Sequence, residues 1–231
     1  MKCRIGDPLD NLIYFNGEFE PELQVLLTKL APGLTTVVDV GCNIGYVSCL
    51  LAALTRSRAR VISIDANPEM VRRCEENLQL NGFPAEAISC AVGRAEEVRT
   101  FHVPLNRPSY ASFGELNHAC NSVDVPVRRL ENFVAEKGLM QIDLLKIDVE
   151  GFEPEVLAGV GDVPIRNICL EFSPENLKNC GFAPDDLWRL PLWKKYRLFQ
   201  LEAGTGNAIP FQPGSSQPEG TETFWAEALD N

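Results

Sequence analysis

The stretch VVDVGCNIGYVS, residues 37–48, decides how the rest of the chain is read. Its opening run, entered through Thr35 and Thr36, is β-branched and apolar, as expected of a parallel strand covered on both faces. The run ends at Asp39 and Val40. Gly41 and Gly45 then bracket a tight turn into an apolar helix expected over residues 46–55. Glycine permits positive φ and lets backbone approach a ligand closely. The turn falls at the carboxyl end of a strand, where open α/β sheets bind ligands. Spacing then selects the ligand. A dinucleotide fingerprint needs glycine at 41, 43 and 46, and here 43 is Asn and 46 is Tyr. The pattern is D-x-G-x-N-x-G. Asp39 can accept an ammonium group directly or through water, and the backbone of residues 41–45 can line a methionine chain. This combination predicts an S-adenosylmethionine site.

Working outward, strand and helix signals alternate. RVISI (60–64) is a strand ending at Asp65, and a helix over 68–80 stops at Asn81-Gly82. A third strand spans 86–92, IDLLKID (142–148) is a strong strand, and RNICLEF (166–172) is another. Helices are expected over 20–30, 129–136, 153–158 and 185–195, and strands over 196–201 and TETFWAEAL. Residues 98–124 hold one strand signal, FHVPL, followed by a loop, with a short strand possible at 125–127. The Gly-, Pro- and Ser-rich segment 203–221 reads as an exposed loop. Alternation of this kind predicts an α/β fold with a mainly parallel sheet covered by helices. One domain, 1–231, is expected, with an N-terminal cap region (1–33) and a catalytic core (34–231).

The successive strand ends carry the chemistry. Asp65 lies about twenty residues beyond the glycine turn, where a carboxylate can accept both ribose hydroxyls. Ala66 follows it. Ala91 and Val92, ending the third strand, are small and apolar and suit an adenine face. The cofactor-binding set is Glu20, Asp39, Gly41, Asn43, Gly45, Asp65, Ala66, Ala91 and Val92. A glycine turn or a capping Asp alone is common in α/β proteins, and it is the joint order and spacing that favour the cofactor over a nicotinamide dinucleotide or none. KIDVEG places Lys146 and Asp148 on one strand face, with Glu150 just beyond, and Glu171 closes the neighbouring strand. Asp148, Glu171 and Glu150 are the catalytic candidates, as base, acceptor ligand or holder of Mg2+ or Mn2+. The bland alternative has Asp148 holding the cofactor ammonium and Glu150 capping a helix. His118 sits in a loop that could cover the acceptor and is a further candidate base.

Composition narrows the partners. The 231 residues carry a formal net charge of -11 and no long Lys/Arg run, which argues against nucleic acid as the main substrate. Lys194, Lys195 and Arg197 read as a solvated face. No apolar run is long enough for a bilayer span, and the start lacks a signal-peptide core. A soluble, cytoplasmic protein is expected. The eight cysteines show no CxxC pair and several lie in apolar segments, as reduced, buried thiols do.

Taken together, these stretches resemble the FkbM-type methyltransferases. The resemblance runs from about Asn16 to Pro174. It takes in FNGEFEP, VVDVGCNIGYVS, the helix after IDANP, and most specifically IDLLKIDVEGFEPEVLAGV followed by ICLEFSP. Cys42 stands where the family usually has Ala, and Asp65-Ala66 where it often has Glu-Pro. The resemblance implies a Rossmann-like, seven-stranded, mostly parallel sheet with its last strand antiparallel. It also implies transfer to hydroxyl oxygens of small molecules, sugars or glycans. Rival readings are an N-methyltransferase, a macromolecule-modifying one, or a non-catalytic cofactor-binding scaffold. The joint presence of Asp39, Asp65, Asp148 and Glu171 disfavours the scaffold. The acceptor, the oligomeric state and any metal are not specified by the sequence.

Overall fold

In the computed structural model, which describes residues 1–84, 86–105, 108–114, 119–214 and 218–229, the cap region holds two helices. α1 (Pro8–Asn16), unassigned in the sequence reading, starts where Asp7 accepts the Leu9 N–H and stops at Gly17. Those are ordinary start and stop signals. α2 (Pro21–Leu30) buries Leu23, Leu26 and Leu27, an i, i+3, i+4 stripe.

The alternating core follows: β1 (Thr36–Val40), α3 (Tyr46–Leu54), β2 (Arg60–Asp65), α4 (Pro68–Leu80) and β3 (Ala87–Ser89). The strand expected over 86–92 breaks at Cys90, whose N–H goes to the Asp65 carbonyl. Beyond the break, β4 (Ala91–Val92) joins β5 (Glu97–Pro104) and β6 (Cys120–Arg128) in a separate three-stranded sheet, order β4-β6-β5. Residues 120–124, read as loop, belong to it. Then come α5 (Leu130–Glu136), β7 (Ile142–Ile147), α6 (Glu153–Ala158), β8 (Ile165–Phe172), α7 (Pro174–Asn179) and α8 (Pro184–Trp188). The helix expected over 185–195 ends early because Pro191 holds Leu190 extended (ψ 131°). Residues 191–195 form a 3-10 turn instead. The chain closes with β9 (Tyr196–Leu201), β10 (Ala208–Phe211) and β11 (Glu222–Ala228).

The main sheet has the order β10-β9-β11-β8-β7-β1-β2-β3. β3, β2, β1, β7 and β8 are parallel, and β11 runs antiparallel between β8 and β9. This is the expected class of sheet plus one edge strand. β10 lies in the segment read as loop, paired with β9. It is short and largely exposed, and Pro210 is tolerated there because an edge strand need not satisfy every donor.

Register fixes what faces what. Val38, Leu145 and Ile168 pack on one face with α5 and α6. Val37, Leu144 and Cys169 pack on the other with α2 and α3. Asp39 pairs with Lys146, and Lys146 with Cys169. Two-residue alternation therefore puts Asp39, Lys146 and Glu171 on the α2–α3 face, at its carboxyl end. The cap region is anchored to that end by a buried ion pair, Arg73 of α4 to Asp10 of α1, at 2.6 Å. Among the described residues no helix is long and apolar enough to cross a membrane.

Candidate functional site

Strand order reverses between β2-β1 and β7-β8, and the crevice of the sheet opens at that switch point. The turn after β1 occupies it. Gly41 (φ 81°), Asn43 (φ 49°) and Gly45 (φ 83°) all take the left-handed conformation. A Cβ on Gly41 would stand 1.7 Å from the Asp148 carbonyl oxygen. Glycine at 41 is thus demanded by the closeness of the β7 end. A Cβ on Gly45 would meet Cys74 Sγ at 2.6 Å, so that glycine serves packing against α4. Asp65 clamps the turn: its Oδ2 accepts the Asn43 N–H and its Oδ1 the Asn67 N–H, both at 2.8 Å. Burial pushes its carboxyl up to about 6, partly offset by those two amides.

Two clefts meet at this turn. The first has a cavity volume of about 60 Å³ and is walled by Ala66, Ala91, Val92, Phe101, Phe113 and Phe152, with Asp65 and Asn67 at its polar edge. Phe113 contacts both Phe101 and Phe152, at ring separations of 4.9 and 4.5 Å. Asn43 Oδ1 and Asn67 Nδ2 are buried there without a partner. A buried unsatisfied polar atom costs about 1–3 kcal/mol, so a ligand offering one donor and one acceptor would recover that loss.

The second cavity, about 270 Å³, is lined by Leu9, Leu12, Phe19 and Tyr46 and by Glu20, Lys146, Asp148, Glu150 and Glu171. Gly41, Asn43, Ser109, Asp148 and Glu150 line both spaces. The carboxylates crowd one another. Burial, with the charge of Asp148 next, raises Glu20 to about 7 and Glu150 to about 8, and lifts Glu171 well above the usual range. Glu150 Oε2 accepts from Asn176 Nδ2 at 2.6 Å. The Glu150 backbone is itself left-handed (φ 53°), a strain of order 1–3 kcal/mol that tends to gather at functional sites. The segment 108–114 covers the junction. Ser109 Oγ donates to the Asp7 carboxylate at 2.9 Å, and the Ser109 carbonyl accepts from Asn43 Nδ2 at 3.3 Å.

Comparison with known proteins gives the setting. The model of the methyltransferase FkbM domain matches residues 39–204. The chain belongs to the FkbM methyltransferase family. Its members depend on S-adenosylmethionine. The 2-O-methyltransferase NoeI of Sinorhizobium fredii is 30% identical over 174 residues, 66% of this chain and 68% of that protein. The AMB antimetabolite synthetase AmbE of Pseudomonas aeruginosa is 28% identical over 179 residues, 61% of this chain. The chain spans only 8% of that much longer relative. Among solved structures, methyltransferase FkbM from Methylobacillus flagellatus shares the fold, with a TM-score of 0.50, 15% identity, and 84% of this chain covered against 43% of that one.

Within this FkbM-family site the residues expected from sequence divide. Gly41, Asn43, Asp65, Ala66, Ala91 and Val92 line the first cleft together, and Glu20, Asp148, Glu150 and Glu171 line the second. Asp39 lines neither. It is fully buried, accepts from Ser48 Oγ at 2.6 Å, and stands 3.7 Å from Lys146 Nζ. Gly45 also lines neither. His118 lies outside the described residues. Among the described residues no group of three or more His, Cys, Asp or Glu side chains is placed to hold a metal ion, so the divalent cation has no donor set behind it. Sequence reasoning missed the aromatic wall, Asn67, Asn176 and the role of Lys146. For Lys146 a signal existed: one cation inside an otherwise apolar strand needs a buried partner.

Proposed function

We propose that this chain is an O-methyltransferase acting on a hydroxyl of a small molecule or sugar, and that the first cleft takes the cofactor's nucleoside while the second takes its methionine end beside the acceptor. The observation that carries this reading is the meeting of the two clefts at Gly41, Asn43, Ser109, Asp148 and Glu150. The lining of the first cleft has the chemistry of a nucleoside site. Its aromatic wall suits a purine, Asp65 has lone pairs left for ribose hydroxyls, and the partnerless Asn43 and Asn67 atoms suit polar edges. Glu20 and Asp148 supply negative charge for an ammonium and a sulfonium. When bound, S-adenosylmethionine supplies an electrophilic methyl group.

The chain's own task is then to align a hydroxyl and take its proton. Alignment can contribute on the order of 7–11 kcal/mol in favourable cases. Glu150 is assigned as the base. A carboxylate raised to about 8 is a far better proton acceptor than an ordinary one at neutral pH. Asn176 holds its Oε2, and Oε1 is the atom left to receive the proton. Glu171, crowded by the same charges, stands beside the path. The acidic surroundings favour oxygen over nitrogen, because they would hold an amine protonated and non-nucleophilic. The apolar lining at Leu9, Leu12 and Phe19 suits an uncharged acceptor.

Labelled cofactor with paired acceptors, each a hydroxyl compound with its deoxy and amino counterparts, tests the reading. Label on the hydroxyl member alone supports it. Label on the amine overturns the oxygen assignment, and a protein that binds no S-adenosylmethionine overturns the whole.

A further inference from the structure

Lys146 lines the acidic cavity, and its ammonium is engaged by groups of this chain. Nζ donates to the Gly41 carbonyl at 3.3 Å and to Asp148 Oδ2 at 3.1 Å, and faces Asp39 Oδ1 at 3.7 Å. Two N–H groups thus meet hydrogen-bond acceptors, and Asp39 is reached by charge alone. Asp39 Oδ1 has no hydrogen-bond partner and is buried, so the nearby positive charge is its compensation. The side chain of Lys146 is only 7% exposed. The same two strand ends approach so closely that a Cβ on Gly41 would collide with Asp148. Lys146 therefore sits at the joint between the turn that meets the first cleft and the carboxylate that meets the second.

We propose that Lys146 is a positioning residue: it ties the Gly41 carbonyl to the Asp148 carboxylate and is the one cation, among the described residues lining the acidic cavity, that sets when this site can receive a positively charged sulfonium. The inference rests on the cofactor reading above. The groups within reach of the Lys146 charge are Asp39 of β1, Asp65 of β2, Asp148 and Glu150 beyond its own strand, Cys169 and Glu171 of β8, Glu20 at the start of α2, and Tyr46 of α3. All but Cys169 and Tyr46 are carboxylates. The Lys146 charge holds Glu20 and Glu150 lower than burial alone would leave them. Without it, ionisation of the cavity would need a higher pH.

The comparison of S-adenosylmethionine with S-adenosylhomocysteine isolates this effect. They share every contact except the methyl group and its charge, so the ratio of their affinities reports the field at the sulfur. In the wild type, calorimetric titration between pH 6 and 9 (values chosen about the shifted carboxylates) should show the ratio rising as Glu20 and Glu150 ionise. Lys146→Met should move the midpoint of that rise up by about one pH unit or more, as expected for a unit charge lost within several ångströms. Lys146→Arg, which keeps the charge, should hold the wild-type midpoint. If the Met variant does not fold, Lys146→Gln, which is shorter and neutral but still polar, carries the same expectation. A folded neutral variant that weakens both compounds equally at every pH would make Lys146 a packing residue and overturn the inference. A wild type that binds neither compound removes the functional reading and this inference together. A wild type with a pH-dependent ratio and a neutral variant with an unmoved midpoint removes the inference alone.

Discussion

The apolar cleft beside Asp65 takes its polar edge from the turn after β1 and the end of β2, and its apolar wall from β4, β5, the segment 108–114 and Phe152. The acidic cavity beside Glu150 takes Glu20 from the start of α2, Leu9 and Leu12 from α1, Glu171 from β8 and Thr221 from the approach to β11. The family match begins at residue 39 and stops at 204, so α1, α2 and Thr221 stand outside it. The difference teaches where variation can enter. A polar edge that comes from adjacent strand ends is fixed by the sheet itself. A cavity assembled from cap, loop and late strand can be re-lined without disturbing the sheet.

The largest expected effect falls on the acidic side. Glu150→Gln keeps size and the Asn176 contact and removes the base, so turnover should fall by roughly 10²–10⁴-fold while affinity for S-adenosylhomocysteine, which carries no sulfonium charge, changes little. Wild-type kcat should rise with pH toward 8, because the raised carboxyl must lose its proton before it can accept one. Single-turnover rates across pH, set beside calorimetric affinity, check both. An equal loss in rate and affinity would merge the two spaces into one functional unit.

Gly41→Ala should injure both at once. Alanine at φ 81° with its Cβ at 1.7 Å from a backbone oxygen must shift the turn or the β7 end. The left-handed conformation alone costs about 1–2 kcal/mol, so a fall in Tm and a loss of cofactor binding are expected together. Thermal unfolding and titration of one preparation would show it; binding at wild-type strength would mean that the junction yields freely.

How much of this was legible follows the same divide. Asp65, Gly41, Ala91 and Val92 could be read because each closes or follows a strand, and a strand's end is visible where an apolar run stops. Glu150 and Glu171 could be read as candidates from KIDVEG and CLEFSP. The further crowding of Glu171 by Glu20 could not, since Glu20 arrives from the start of a helix more than a hundred residues away. The aromatic wall was hidden for another reason. Phe101 and Phe113 belong to a second sheet and its covering segment, and that sheet exists because the expected third strand breaks at Cys90. Asp39, read as a ligand-facing carboxylate at a strand end, is turned by the pleat toward Ser48 and Lys146.

Asp65→Ala sharpens the nucleoside side. Loss of one or two charge-assisted hydrogen bonds should weaken cofactor binding by roughly 1.5–3 kcal/mol. Part of that loss will come from freeing the Asn43 and Asn67 amides, so the variant should also lower Tm. Affinity for adenosine alone separates the parts. If adenosine binds the variant as well as the wild type, Asp65 holds the turn and does not touch the ribose.

The smallest effect concerns Glu153, which stands behind the junction at the start of α6. Its Oε1 accepts the Val149 and Gly151 N–H groups at 3.2 and 3.1 Å, while Oε2 is buried without a partner. Burial raises its carboxyl to about 7, against a partial offset from those amides. The folded protein therefore holds this proton more tightly than the unfolded chain does. Between the ordinary glutamate range and about pH 7 the folded state binds more protons, and stability from this group declines as pH rises through that window. Above it the full penalty of a buried charge is present, on the order of 1–3 kcal/mol. Glu153→Gln keeps the Oε1 acceptor and abolishes the ionisation. Its Tm relative to wild type should be higher at pH 8 by several degrees, at about 2–4 °C per kcal/mol for a chain of this size, and nearly equal at pH 5. A variant less stable at pH 8 than at pH 5 relative to wild type would mean that the ionised Glu153 is held by its amides more strongly than burial opposes it. The acidic character of the junction would then be a source of stability, and the contrast between a rigid nucleoside cleft and a strained acidic cavity would lose its energetic basis.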